Sequence, residues 1–506
     1  MTTERFDVVV VGGGSAGGVL AARLSQDPSR TVLLLEAGPA YQRGDYPQVL
    51  LDPERIGGDQ EHDWGFRATV GRAGPLDREI AVPRGKVLGG SSAVNATVAL
   101  RALPSDFSAW ATGGLSGWSA QEVLRAYRDL ESADSGDDRF HGRSGPLPIH
   151  QRTYDELTPS VRAFIDTAEH QGYRYVEDPN ADQRTGVAAV PLNIRSGVRQ
   201  NTGIAYLTED VRRRPNLTIR GATGVDRVLV SGGVATAVRT AGGTVYAAGQ
   251  VILSAGSYGS APILLRSGIG PARDLAGLGI EVVADLPVGQ RLQDQPVFHG
   301  LYALKADAGA TSPAAGAFVR TASSQAQGDE LDLLISAAHL NDPGLSPTGA
   351  IVLAVSVVRP ESRGRLQLRS ADPADAPLIG LNLLGTPRDR SRMLEGLKLS
   401  RGIGLAKAFS VVSAGEMLPG EDVRDDADLQ RVLDEQITSF QHATSTVPMG
   451  GDDDEWAVVD GTGAVRGVRN LRVIDASILP AVPSVPTNLT VIMAAEHIYR
   501  NALAGA

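Results

Sequence analysis

The sequence predicts an α/β protein, and three features near its start carry that reading. Residues 8–11 are four consecutive valines, a run expected of a strand buried on both faces of a parallel sheet. The turn Gly12-Gly13-Gly14-Ser15-Ala16-Gly17-Gly18 follows at once and leads into apolar residues at helical spacing over 19–24. A second apolar strand over 31–35 then ends on Glu36.

Each part of this strand, turn, helix, strand and acid unit has a physical task. Gly12 permits the tight turn, Gly14 lets the backbone approach a pyrophosphate, and Gly17 lets the helix lie close to the strand. The helix N-terminus then faces the phosphates. Glu36 would accept hydrogen bonds from an adenosine ribose, and an acid there disfavours a 2'-phosphate, so NADP fits least. The motif by itself does not separate FAD from NAD.

The chain has 506 residues, enough for two or three domains at roughly 100–200 residues each. Short β-branched runs at 217–219, 225–230, 234–238 and 251–253, broken by Gly232-Gly233 and Gly242-Gly243, predict hairpins ending in a buried strand. Strands are expected at 351–358 and 365–368 and helices at 388–408 and 425–440, which gives the middle of the chain a second sheet. Residues 307–327, rich in Ala, Ser and Gly, read as a loop, either over the active site or simply on the surface.

Hydrophobic residues make up 42% and charged residues 21%, which is ordinary globular usage and excludes a disordered or fibrous chain. Net charge is -10 and no Lys or Arg block occurs, so nucleic acid is not an expected partner. The absence of cysteine removes disulfides, thiolate nucleophiles and Cys-ligated metal centres. Eight histidines without H-x3-5-H or H-E-x-x-H spacing give no support to a metal site. No apolar run reaches the roughly 18–20 residues of a membrane span. The short N-terminal apolar run lacks a basic flank and a cleavage site, so a cytoplasmic enzyme is expected.

Further motifs narrow the reading. Pro83-Arg84-Gly85-Lys86-Val87-Leu88-Gly89-Gly90-Ser91-Ser92-Ala93-Val94-Asn95 joins flexible glycines, two cations and small hydroxyls. This stretch closely resembles the first signature of the glucose-methanol-choline (GMC) oxidoreductase family. The stretch from Ser254 to Gly270 looks like the second signature, and His442-Ala443-Thr444-Ser445-Thr446-Val447-Pro448 resembles the segment bearing the family's catalytic histidine. Asn470 to Ser477 and Pro486-Thr487-Asn488 are equally typical, so the resemblance covers nearly the whole chain.

The resemblance implies an FAD-binding Rossmann-like (GMC-type) domain and a second, α+β substrate-binding domain built on an antiparallel sheet. Both are discontinuous, with 1–155, 205–295 and 455–506 in the first and 156–204 and 296–454 in the second. FAD would be held by Gly12, Gly14, Ser15, Ala16, Gly17, Glu36, Ala37, Arg84, Val87, Gly90, Ser91, Asn95, Val225, Asp475, Ala476, Asn488 and Leu489. Family members that attach flavin covalently carry histidine where this chain has Val94, so FAD is expected without a covalent link.

The resemblance further implies oxidation of a small-molecule alcohol, with O2 or another acceptor taking the electrons and His442 as the base, its imidazole titrating ordinarily near pH 6.5. Asn488 would pair with it, although at the mouth of the last helix it also reads as a helix cap. Two other readings keep the same flavin: a hydroxynitrile lyase-like enzyme without redox turnover, and a flavoprotein that only binds. His497 reads as structural, and His339 matches no motif.

Overall fold

The computed structural model describes residues 4–72, 74–182, 184–308, 315–340 and 346–505. The first strand, Glu4–Val11, lies at the centre of a seven-stranded sheet. It pairs in parallel with Val32–Leu35 on one side and Val245–Leu253 on the other. Leu217–Arg220 extends the sheet beyond Val32–Leu35, and Leu471–Val473 pairs with the end of Val245–Leu253, both also parallel. The valines and leucines of the first two strands are buried on both faces, as their unbroken apolar runs require.

Two hairpin connections add Val234–Thr240 antiparallel to the first residues of Val245–Leu253, and Val225–Ser231 antiparallel to Val234–Thr240 at the edge. The run at 217–219 does not join them: its strand is a parallel edge strand against Val32–Leu35. A four-residue apolar run carries no sign of the direction of its partner, so the sequence could not separate the two cases.

The register decides where ligands can sit. Val11 is level with Leu35 and with Leu253, and Leu253 is level with Val473. The loops that leave these strands therefore emerge along one edge, the carboxyl edge where parallel sheets bind ligands. Helix Ser15–Leu24 starts from this edge and packs against the terminal helix Asn488–Ile498.

The second sheet also has seven strands, in the order Ser413–Leu418, Pro296–Leu304, Ala350–Val357, Leu333–Leu340, Ala315–Thr321 and Gly186–Ala189, with Thr438–Ser439 pairing Pro296–Leu304. Every pairing in it is antiparallel. Helices Pro387–Gly404 and Pro159–His170 pack against this sheet. Part of the loop expected at 307–327 is thus a strand, because Ala317, Phe318 and Val319 are buried between neighbouring strands. Residues 309–314 of that stretch lie outside the described residues. The helix expected over 425–440 spans Asp426–Gln436 and gives way to the short strand Thr438–Ser439.

A buried charge network holds loops around the small two-stranded sheet formed by Glu131–Ala133 and Leu147–Ile149. Glu131, fully buried, accepts from Arg101 at 2.6 Å and pairs with His141 Nδ1 at 2.9 Å, while His141 Nε2 meets Asp178 at 2.9 Å. Burial opposes the imidazolium, but the hydrogen bonds of Asp178 and Glu131 outweigh it and push His141 up to about 9. A raised histidine stabilises the fold fully below its unfolded value near 6.5 and loses that contribution as pH rises through about 9. His141→Gln should therefore cost about 2 kcal/mol at pH 6 and much less at pH 9.5. Urea unfolding at both pH values checks this, and an equal loss at both would refute it.

Candidate active site

A cavity of about 940 Å³ runs from the carboxyl edge of the first sheet to the inner face of the second. At its first end the turn Gly12-Gly13-Gly14 leaves the sheet with Gly12 at φ +94°, where a Cβ would stand 2.6 Å from Ser254 O. A Cβ at Gly17 would stand 1.8 Å from Gly12 O, so helix and strand approach as the sequence anticipated. Ser15 and Ala16 line the cavity at the start of their helix, where the first amide N–H groups have no intrahelical acceptor. That is the arrangement a pyrophosphate needs.

Glu36 and Ala37 line the same end, with Thr223, Val225 and Ala241 beyond them. The Glu36 carboxylate accepts from Gly13 N and Gly38 N at 2.8 Å each, and burial pushes it up to about 7. It therefore braces the phosphate turn as well as facing the cavity. Spacing alone placed it at the strand end; the two amides that hold it are visible only in three dimensions.

Arg84, Gly90, Ser91 and Asn95 form the next stretch of wall. Ser91 Oγ accepts from Gly85 N, and Asn95 Oδ1 from Thr97 N, so both side chains shape their own loop. Val87 and Leu489 do not line the cavity. Val87 is buried against Tyr46, Leu50 and Ile204, and Leu489 lies in the main core, so neither side chain is available to a ligand. Asp475 and Ala476 are at the cavity, yet the Asp475 carboxylate already accepts from Gly256 N, Ser260 Oγ, Ser477 N and Ser477 Oγ. Its side chain fixes the strand-end turn.

His442 stands between the two ends. Its loop is anchored by Ser257 Oγ, which donates to Ala443 O at 2.6 Å, and by Thr446 Oγ1, which donates to Ser257 O. Gln441 and Ser445 on either side adopt left-handed φ values of +67° and +63°, a strain that the surrounding bonds must hold. His442 N donates to Asp294 Oδ1, and Phe440 packs on the imidazole with ring centres 4.6 Å apart.

The ring itself is oriented by Gln295. Gln295 Nε2 donates to Val358 O at 3.0 Å and to Pro483 O at 2.8 Å, which fixes the amide so that Oε1 faces His442 Nδ1 at 2.6 Å. An amide oxygen only accepts, so Nδ1 carries the proton and Nε2 keeps a free lone pair. Nε2 has no hydrogen-bond partner among the described residues. Burial, followed by the charge of Arg84, holds His442 down at about 3, so the imidazole is neutral throughout the ordinary pH range. The titration near 6.5 expected from sequence is thereby corrected.

Arg84 stacks on Tyr258 at 4.8 Å and donates to Gln441 Oε1 at 2.9 Å. Asn488 is the first residue of the terminal helix, one place after the N-cap position at Thr487, which makes no side-chain cap bond, so the capping role read from sequence does not hold. Instead Asn488 Oδ1 accepts from Ser15 Oγ at 2.8 Å, joining the starts of two helices beside the cavity. Sequence reasoning missed Asp294, Gln295 and Tyr258. The first two were signalled only by the polar run Gln293-Asp294-Gln295 directly before a strand, all three of its residues buried, and Tyr258 only by its place in the stretch from Ser254 to Gly270. His497 packs on Trp118, and His339 is buried against Ser160, both away from the cavity.

The description GMC oxidoreductase matches residues 6–297 and, by its C-terminal part, residues 360–495. The chain belongs to the GMC oxidoreductase family. It is 36% identical over 538 aligned residues to 5-(hydroxymethyl)furfural oxidase of Methylovorus sp. (strain MP688), covering 98% of each protein. Oxygen-dependent choline dehydrogenase of Vibrio vulnificus (strain YJ016) is 34% identical over 98% of this chain and 93% of that one. Among solved structures, pyridoxine 4-oxidase from Mesorbium loti superposes with a TM-score of 0.90 at 32% identity, over 98% of this chain and 99% of that one. As a GMC enzyme the chain is an FAD-dependent oxidoreductase, and the cavity suits that cofactor: phosphate turn, acid-braced strand end and two helix starts follow one another along it. Among the described residues no cluster of metal-ligating side chains occurs, and no helix is long and apolar enough to cross a membrane.

Proposed function

We propose that this protein oxidises an alcohol to its carbonyl with non-covalently held FAD, His442 acting as base. The observation that carries the reading is the free lone pair of His442 Nε2 at the cavity, with the tautomer fixed by Gln295. The relatives named for hydroxymethylfurfural, choline and pyridoxine oxidation support an alcohol as the substrate class. The substrate hydroxyl donates to Nε2 and passes its proton there, while Nδ1–H stays on Gln295 Oε1. The Asn488 amide, its oxygen committed to Ser15, has its N–H groups left to donate to the same substrate oxygen. Arg84, hydrogen-bonded to Gln441 next to His442, favours the developing alkoxide by its charge.

When bound, FAD would supply the hydride acceptor, the carbinol hydrogen leaving with two electrons as the hydroxyl proton goes to His442, and O2 or another acceptor would reoxidise it. Anaerobic titration with primary alcohols tests the reaction. Bleaching of the flavin band is expected, and an alcohol or cyanohydrin that turns over without bleaching would favour the lyase reading.

Val94 leaves no nucleophile at the position of covalent attachment, and its side chain is buried against Leu50 and Ile204. Acid precipitation should accordingly release all flavin to the supernatant as FAD. A yellow pellet would overturn the non-covalent assignment.

A further inference from the structure

The inner face of the second sheet carries one histidine that the reaction above does not use. His299 lies on Pro296–Leu304, lines the cavity and is exposed to it, with no hydrogen-bond partner among the described residues. Sheet register shows what surrounds it. His299 is opposite Ala354, Ala354 opposite Ser336, and Ser336 opposite Phe318, a single row across four strands in which every member lines the cavity.

The same strand sets a distance. Side chains alternate along a strand, so Val297, His299 and Leu301 share one face, and Gln295 stands one residue before the strand begins. Gln295 holds the His442 ring, and His299 is four residues farther, about 13 Å along the backbone at roughly 3.3 Å per residue. Around His299 an apolar patch of Val352, Ala354 and Phe440 lines the cavity and packs on the buried Val297. Phe440 also touches the His442 ring, so the patch is continuous with the reacting end. Desolvation by the surrounding cavity walls holds the His299 imidazole below its usual value, which leaves it a neutral donor and acceptor.

We propose that His299 is the recognition group for the far end of the substrate, and that this end bears a neutral hydrogen-bonding oxygen. The preferred alcohol thus has its carbinol at His442, an apolar middle over Phe440 and Ala354, and a hydroxyl or carbonyl at His299. This rests on His442 marking the reacting end. A substrate lacking the far oxygen leaves the imidazole unpaired in an apolar setting, which is what makes the group selective.

The test compares benzyl alcohol with benzene-1,4-dimethanol on the FAD-loaded enzyme. Binding is read from perturbation of the oxidised flavin spectrum in a His442→Ala background, and flavin reduction is followed anaerobically with His442 intact. The diol should bind about threefold to tenfold more tightly than benzyl alcohol. His299→Phe should bring the two dissociation constants together while leaving benzyl alcohol within about threefold, and His299→Asn should retain part of the preference. Equal binding of the two alcohols by the His442→Ala protein, or an undiminished preference in His299→Phe, overturns the proposal. If neither alcohol reduces the flavin but the binding preference follows His299, the proposed reaction fails and the recognition role stands.

Discussion

Replacing His442 by alanine should slow anaerobic flavin reduction by about a hundredfold to ten-thousandfold, equivalent to roughly 3–5 kcal/mol of barrier. In the proposed reaction Nε2 of His442 is the base, with a lone pair both free and held in position, so no neighbour should replace it. FAD content should stay near wild type, because the residues that brace the phosphate turn, Glu36 and Gly17 among them, are unaffected. The pH profile is the sharper part. A base held at about 3 is already unprotonated at pH 5, so its contribution to the rate should be flat from pH 5 to 9 and fall only as pH drops toward 3. Stopped-flow reduction across this range decides the matter. Reduction by the variant within threefold of wild type would place the base elsewhere, and a wild-type limb near pH 6.5 that vanishes in the variant would refute the low value.

What the sequence made legible is local. The valine run, the glycine turn and Glu36 lie within about thirty residues, and their order in the chain is their order in space, so the first end of the cavity follows from sequence periodicity and turn chemistry. His442 and Asn488 were found through motif resemblance. Their partners were not, because Gln295 reaches His442 across 147 positions and Ser15 reaches Asn488 across 473. No periodicity encodes such pairs. Asn488 shows the consequence: beside a helix start its composition says cap, but the nearby Ser15 hydroxyl takes its oxygen instead. His299 escaped notice for a different reason, since a histidine in an alternating strand shows nothing until register reveals which face meets the cavity.

Gln295 should prove nearly as sensitive as His442 although it touches no reacting atom. Gln295→Leu keeps the volume but strands three buried groups: His442 Nδ1–H, Val358 O and Pro483 O. Leaving such groups unpaired costs about 1–3 kcal/mol each, so the variant should unfold more easily. In the folded fraction the imidazole loses its tautomer lock. The proton can then sit on Nε2, where it blocks the base, and the ring can turn toward Phe440, so reduction should slow by about tenfold to a hundredfold. Gln295→Glu separates this positioning role from simple damage to the core. It likewise loses the donor to both carbonyls, yet its carboxylate still accepts from Nδ1–H and adds a negative charge beside the ring. The charge should raise His442 from about 3 toward the ordinary imidazole range, since an adjacent anion favours the protonated form. A limb should then appear in which the rate falls as pH drops, absent from wild type and from Gln295→Leu. Stopped-flow reduction of the three proteins over pH 4 to 9 reads it, and if both variants slow equally at every pH, Gln295 serves only to fill and pair the core.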